Sequence, residues 1–503
     1  MSSPTLIGID IGTSSTKTVV LSADGRVLAV AGQETTVETP HPGWAEQAPE
    51  SWIRAVVTTL QRALTDAGVA PASVAGLSFS GQMHGTVCVG ADGQPLRPAV
   101  IWADQRSGAQ VHDLVARLGK ARLAAWTGNP LATGFMLASW LWLREHEPET
   151  AQATRRLLLP KDYVRYRLTG EIGTEPSDAS STSMFNPALR GWSLPLLDEL
   201  GLAREVLPEV FDSTAVAGGL LPGIAVEVGL PAGTPVVFGG SDQAVQALGN
   251  GVVAPGVVSS TIGTGGQLLA PTRCCVVDPE LRMHSFCHVR QDLWHVETAM
   301  LSAGLSFRWL RDQVLDGMTY RAMADAAATV PAGADGLLFQ PYLAGERTPH
   351  MDPRARGSFI GLTRRHGRAH LIRAVMEGVV FGMRQGLELM VALGAPVDEI
   401  IGTGGSTRHP LWLQLQADIY NRPIRRTCTT EAAAVGAAML AGIGTGVFDD
   451  VQDAITRVVR RHDAVVLPDS VRVDVYARQY EAFCALYPAL VDTVHRLGKL
   501  GAQ

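Results

Sequence analysis

Lysine is scarce in this sequence. Lys17, Lys120, Lys161 and Lys499 are the only four among 42 basic residues, so nearly all positive charge is arginine. Forty-eight acidic residues leave a formal net charge of −6, which argues against a partner recognised through a nucleic-acid backbone. Cysteine is sparse too. Cys88, Cys274, Cys275, Cys287, Cys428 and Cys484 form no C-x-x-C and no zinc spacing. A disulfide framework and a zinc module are therefore not expected, and a reducing, cytoplasmic setting is. Long apolar runs are missing. The longest uncharged stretch, 243–272, is broken by Gly249, Gly251, Pro255, Gly256 and Gly263 and reads as buried loop and strand, not as a membrane span. The first residues lack the basic segment of a signal peptide.

The common catalytic and nucleotide fingerprints are absent as well. No G-x-x-x-x-G-K-[ST], no G-x-G-x-x-G, no G-x-S-x-G and no H-E-x-x-H occurs. What the chain does have is core-forming composition: 503 residues, 46% hydrophobic and 18% charged, enough for about three domains or two large ones. Apolar runs at 6–11, 18–22 and 27–31, the latter two joined through Asp24-Gly25, predict a β-meander. Trp52, Val56, Leu60 and Leu64 recur every four residues and predict a helix over 52–67. A strand over 74–79 and a second hairpin around Asp92-Gly93, with strands at 86–89 and 96–102, follow the same logic. Further helices are expected over 136–146, within 309–328, over 369–393 as a long amphipathic helix, and over 432–440, where small residues permit close packing. Strands over 336–340 and 399–403 complete the pattern of a mixed sheet covered by helices, with a domain boundary near 245–257, where glycine and proline cluster.

Three glycine-rich loops follow predicted strands: 10–17, 259–266 and 401–406. Each lacks Cβ atoms where an anionic oxygen could approach, and each carries Thr or Ser hydroxyls. One such loop is usually only a tight turn; three in this arrangement point to nucleotide phosphates. The first opens with Asp10, and a carboxylate beside phosphate-binding amides is repulsive unless a cation stands between them. Asp10 is thus a candidate Mg²⁺ ligand, through water. Ser80-Gly-Gln-Met83-His84-Gly follows another strand, with His84 either a structural histidine or a ligand contact. Asp104 and Arg106 form either a local ion pair or a polyol-binding pair. Asp242, directly after Gly239-Gly-Ser, either caps the following helix or accepts a proton from an attacking hydroxyl.

Gly357-Ser-Phe-Ile-Gly-Leu, a seven-residue gap and His370-Leu-Ile-Arg-Ala-Val-Met-Glu377 resemble the C-terminal signature of the FGGY carbohydrate kinases. Within that family, Ser80–Gly85, Leu159-Pro-Lys-Asp-Tyr163 and Pro341-Tyr-Leu-Ala-Gly-Glu-Arg-Thr-Pro349 are similar to xylulokinases. The resemblance covers nearly the whole chain. It implies an α/β fold of two actin-like, ribonuclease H-like domains with an interdomain cleft, 1–250 binding sugar and 251–503 binding nucleotide. It implies ATP and Mg²⁺ as cofactors, a small sugar as acceptor, no nucleic-acid or membrane partner, and a homodimer as the candidate assembly. Gly12, Thr13, Ser14 and Lys17 would belong to the first phosphate loop, Gly263, Thr264 and Gly265 to the second, and Gly404, Gly405, Ser406 and Arg408 to the adenosine loop. Met83 and His84 would touch the sugar, with Asp104, Arg106 and Gln243 in the same pocket, and Asp242 would be the general base. The chain departs from the family pattern at Ser139, where lysine is usual, at Gln243, where asparagine is, and at Glu431-Ala-Ala-Ala, where glycine often stands. The expected reaction is phosphorylation of D-xylulose. The rivals are a kinase of the same family for another sugar or polyol, such as ribulose, gluconate, glycerol or a deoxyketose, an actin-like ATPase with no small-molecule acceptor, and an inactive sugar sensor.

Overall fold

The computed structural model describes residues 3–500. Its first sheet has seven strands: β1 (Thr5–Ile11), β2 (Ser15–Ser22), β3 (Val27–Glu34), β4 (Val74–Gly81), β5 (Val216–Gly219), β6 (Pro235–Val237) and β7 (Gly240–Ser241). They run in the order β5-β6-β4-β1-β2-β3, with β7 also on β4. The expected meander is present: β1–β2 and β2–β3 are antiparallel, and Gly25 takes φ +85° in the Asp-Gly turn. β4 runs parallel to β1, and β6 and β7 run parallel to β4.

The second sheet has six: β8 (Gly256–Ile262), β9 (Gly266–Thr272), β10 (His284–Cys287), β11 (Trp294–Met300), β12 (Val397–Gly404) and β13 (Ile424–Arg426), in the order β10-β11-β9-β8-β12-β13. Its antiparallel β8-β9-β11 run repeats β1-β2-β3, and its parallel β12 repeats β4. The two halves thus share one topology, with the strand-then-glycine loops 12–14 and 263–265 at equivalent hairpins.

Helices cover the sheets. They include α1 (Pro49–Ala67), α2 (Met136–His146), α3 (Asp242–Gly249), α4 (Gly304–Gln313), α5 (Tyr320–Ala328), α6 (Arg368–Ala392) and α7 (Ala432–Gly444). α7 comes from the second half of the chain but lies on the first sheet, against β1 and β4, and against α3. Its small residues make that possible. A Cβ on Gly8 of β1 would stand 1.8 Å from the Ala434 carbonyl oxygen, and one on Gly436 would stand 2.1 Å from that of Val245. Among the described residues no helix is long and apolar enough to cross a membrane.

Four expectations need correction. The segment 96–102 forms only a two-residue strand at Ala99–Val100, because Pro95 and Pro98 cannot donate to a ladder. The helical signal over 309–328 is two helices: Asp316 and Gly317 take positive φ, and the Thr319 hydroxyl accepts the Ala322 N–H and caps α5. Residues 243–249 belong to helix α3 and not to a loop or strand, since Ala244, Val245, Ala247 and Leu248 form a buried face at helical spacing. α6 is not amphipathic through its middle. Every residue from Ile372 to Met383 is buried between the second sheet and the C-terminal helix 470–500, with Arg373 and Glu377 paired to each other at 2.6 Å.

The α7–β1 contact gives a first prediction. Gly8→Ala should destabilise the fold by about 1–3 kcal/mol or more through overpacking against α7 backbone, which cannot rotate away. A lowered thermal midpoint in a denaturation scan checks it.

Candidate active site

The edges of β1, β4 and β7 set one row of residues across the first sheet: Asp10 pairs with Ser80, and Ser80 with Gly240. Asp10 and Asp242, far apart in sequence, therefore end two strands apart at the same edge. Burial pushes the Asp10 carboxyl up to about 6, against the Ser80 hydroxyl, which donates to Oδ1 at 2.8 Å, and the Lys17 charge. Burial likewise raises Asp242 to about 7, helped by the charge of Asp10 and opposed by the Gln243 amides. Asp242 is the first residue of α3, yet its side chain caps nothing, and its buried Oδ1 has no partner among the described residues. The capping reading of this aspartate is thereby removed. What remains is a half-buried carboxylate with a free acceptor atom and an affinity for protons matched to neutral pH.

The first loop is held by a chain of side chains. The Thr13 hydroxyl donates to Gln82 Oε1 at 3.1 Å and accepts from Trp102 Nε1 at 2.8 Å; Gln82 donates to Gln47, and Gln47 to the Thr13 carbonyl, both at 2.8 Å. Gly12 donates to the Ser15 carbonyl and Ser14 is exposed. Lys17 lies opposite Asp10 in the β1–β2 register and pairs with Glu431, at the start of α7, at 2.7 Å. Glu431, which opens the Glu-Ala-Ala-Ala stretch at the start of α7, thus anchors that lysine.

The other loops meet at a cavity of about 950 Å³ between α4, α5 and the end of β12. Gly263, Thr264, Gly405, Ser406 and Arg408 line it together with Phe307, Tyr320 and Trp412, a mix of aromatic faces and backbone amides suited to a nucleotide. Gly265 and Gly404 lie just behind the lining; Gly404 has φ +80°, and a Cβ there would meet the Ile262 carbonyl oxygen at 2.8 Å.

On the other side of Asp242, His84 has φ +72° and stacks on Phe135 with ring centroids 3.7 Å apart. Its Nδ1–H donates to the Ser181 carbonyl at 2.7 Å, which leaves Nε2 as an acceptor. Burial pushes the ring down to about 3, so it is neutral. Met83 beside it is buried, and Gln243 is half-buried next to Asp242.

Asp104 and Arg106 form the local ion pair that is one of the two readings open for them. Both side chains are 1% exposed, the guanidinium grips the carboxylate at 2.7–3.0 Å, and it lies flat on Trp44 with 3.6 Å to the ring centroid. Arg106 also pairs with Glu46 at 2.6 Å, and Asp104 accepts the Ala45 N–H at 2.7 Å. These bonds brace the segment that carries Trp102, while the buried Arg106 Nη1 has no partner among the described residues. Ser80, Gln82 and Trp102 lie in motifs picked out from the sequence, but their partners are distant in it; Gln47, Glu297 and Arg347 were not singled out as site candidates. Arg347 sits inside the 341–349 motif, which served only as a resemblance. Ser139 is buried in α2 and its hydroxyl has no partner among the described residues.

The two halves of the chain each match a domain of one protein family. Residues 5–249 match the N-terminal domain, and residues 258–445 the C-terminal domain, of the FGGY family of carbohydrate kinases. The chain belongs to the FGGY family. It is 35% identical to a Bacillus subtilis protein named xylulose kinase, over 97% of each chain. Among solved structures, xylulose kinase from Rhodospirillum rubrum superposes with a TM-score of 0.91 at 30% identity, over 98% of this chain and all of that one. Gluconate kinase from Lactobacillus acidophilus gives 0.93 at 27% identity, over 99% of this chain and all of that one. The chain is accordingly a carbohydrate kinase with the two-domain α/β fold of these enzymes.

The reading of Asp104 and Arg106 as a brace predicts that Asp104→Asn leaves the buried Arg106 with Glu46 as its remaining carboxylate partner. Loss of a charged hydrogen-bond partner costs about 1.5–3 kcal/mol, so the thermal midpoint should fall well before the sugar KM changes by more than a few-fold. A thermal scan set beside steady-state kinetics checks it.

Proposed function

We propose that this FGGY kinase transfers the γ-phosphoryl group of ATP to the terminal hydroxyl of D-xylulose, giving D-xylulose 5-phosphate. The observation that carries the reading is Asp242: a carboxylate raised to about 7, with an unpartnered Oδ1, between His84 on one side and the first phosphate loop on the other. Phosphoryl transfer asks little covalent chemistry of the protein; it asks for in-line positioning, charge stabilisation and a proton acceptor. Asp242 takes the hydroxyl proton. His84 Nε2 accepts from a sugar hydroxyl, and Met83 and Gln243 pack beside it. The Gly12 and Gly263 amides close their own turns, on the Ser15 and Gly265 carbonyls, so the amides of Thr13, Ser14, Thr264 and Gly265 hold phosphate oxygens, while Gly404, Gly405, Ser406 and Arg408 hold the adenosine. In this reading residues 1–250 supply the sugar side and residues 251–503 the nucleotide side. Lys17, tied to Glu431, screens Asp10.

Mg²⁺ fits the donors present. Asp10 offers a hard oxygen at the phosphate end of the cleft, and its repulsion with Asp242 is what a divalent cation would relieve. When bound, Mg²⁺ supplies neutralisation of the phosphate charge.

A second reading, a gluconate-type acceptor, is favoured by the fold match to a gluconate kinase and by Gln243 standing where asparagine is usual. Gln is one methylene longer and reorders contacts to a hydroxyl; Gln243→Asn should shift kcat/KM toward D-xylulose by roughly tenfold for each 1.4 kcal/mol regained. An ATP-coupled assay over pentuloses, polyols and sugar acids decides between the readings.

Two outcomes test the chemistry. Asp242→Asn should bind ATP and lose roughly 10²–10⁴-fold in kcat. In the unmodified enzyme kcat/KM should fall as pH drops below about 7, because Asp242 then holds a proton and cannot accept one; a pH–rate profile flat from 5.5 to 8 would remove it as the base. Asp10→Ala should weaken the dependence of turnover on Mg²⁺ concentration, with sugar KM much less affected; a titration of activity against Mg²⁺ reads this.

A further inference from the structure

Helix α3 lies against the face of the second sheet that carries Glu297. Ala247 of α3 packs with Leu269 and Ile401, and Leu269 is the cross-strand neighbour of Glu297. Glu297 is 5% exposed, its Oε2 has no partner among the described residues, and burial followed by the Asp242 charge raises it to about 8. His284, directly opposite Glu297 on β10, also has an unpartnered buried Nδ1. Beside both runs the segment 346–348. It is stitched to β11 by the Thr348 N–H on the Ala299 carbonyl at 3.1 Å, and by the Leu301 N–H on Glu346 at 3.1 Å.

This segment delivers Arg347. Its guanidinium is half-buried and makes no hydrogen bond and no ion pair within 4.0 Å among the described residues. Neighbouring Glu346 is raised to about 8 by burial, as Glu297 is, so at neutral pH neither carboxyl neutralises the cation. Arg347 acts electrostatically on Glu297, His284 and His84, whereas the carboxylate nearest Asp242 in effect is Asp10. Glu297 and His284 thus face each other across β11 and β10, the segment that carries Arg347 is bonded to the end of the same strand, and the helix that begins at Asp242 packs on that sheet face. An arginine with five donors, half-exposed and without a partner among the described residues, stands beside the orphaned buried atoms of Glu297 and His284, and a ligand rich in oxygens would engage all three.

We propose that Arg347 is a specificity residue supplied by the second half of the chain, donating to the keto and hydroxyl oxygens at the end of the acceptor sugar remote from the hydroxyl that is phosphorylated, with Glu297 and His284 completing that wall. The proposal rests on the reading of the acceptor as a ketose seated at His84 and Asp242.

The test is a substrate–variant cycle. D-xylulose and 1-deoxy-D-xylulose, which lacks the remote hydroxyl, are compared in the unmodified enzyme, Arg347→Gln and Arg347→Lys. Arg347→Gln should raise the KM for D-xylulose by roughly 10–100-fold, with kcat and the KM for ATP within about threefold. The penalty for removing the hydroxyl, several-fold in the unmodified enzyme, should shrink to under twofold in Arg347→Gln, and Arg347→Lys should fall between. Because the guanidinium has no partner to lose, the thermal midpoint of ligand-free Arg347→Gln should be unchanged or higher. The proposal is overturned by an unchanged sugar KM, or by losses that multiply independently across the cycle. A raised ATP KM with unchanged sugar KM, which would put Arg347 at the phosphates, overturns it too. So does a lowered thermal midpoint in both variants, which would make the residue structural. If the unmodified enzyme does not phosphorylate D-xylulose, the acceptor reading fails on its own. The cycle is then run with the acceptor that wins the panel and its analogue without the remote hydroxyl.

Discussion

Backbone-to-backbone contact between α3, α7 and β1 is the constraint on which the site depends. Gly249 faces the Ala432 carbonyl oxygen, where a Cβ would stand at 2.0 Å, and Gly436 and Gly8 close the other two contacts. Van der Waals attraction falls off within an ångström, so such contacts hold the helix more tightly than side chains of variable rotamer could. With α3 fixed between the two sheets, its first residue, Asp242, is fixed as well. The same packing brings a helix from the second half of the chain onto the first sheet, so the two halves share a spine, and motion between them must pivot about it.

Charge then follows from place. The cleft collects Asp10, Asp242 and Glu297, all partly or wholly withdrawn from water and all raised by that burial. At one end Lys17 stands opposite Asp10 and is itself neutralised by Glu431. At the other Arg347 has no such partner among the described residues. Like charges in a medium of lowered dielectric cannot all ionise together, and the middle carboxylate settles near neutrality, where a proton acceptor is both populated in its basic form and strong enough to act.

The opening meander and several helix positions could be read from the sequence because they rest on local patterning: the Asp-Gly turn at 24–25, the four-residue spacing of Trp52 to Leu64, the small residues of α7. The departures arise where tertiary position overrode the pattern. α6 loses its polar face because it is buried on all sides. The break between α4 and α5 is set by backbone conformation at Asp316 and Gly317, which hydrophobic periodicity does not report. The glycine loops were legible because missing Cβ atoms leave a mark in composition. The partners that hold them, Gln47, Gln82 and Trp102, were not, since a hydrogen bond across 34 or 89 residues leaves none.

Asp104 and Arg106 show why residue type alone misleads in such a cleft, and Arg347 is the counter-example that gives the rule. All three are charged and close to the same pocket. Asp104 and Arg106 spend most of their hydrogen bonds on each other, Glu46 and Ala45, with Trp44 beneath the guanidinium, so what they contribute is chiefly stiffness. Arg347 is held half out of water, at some cost, with no partner among the described residues. A fold tolerates such a cost where function requires it, and natural sequences break local rules of stability mainly at functional positions. Unspent hydrogen-bonding capacity, more than charge or proximity, is what separates a group poised for a ligand from one that holds the wall behind it.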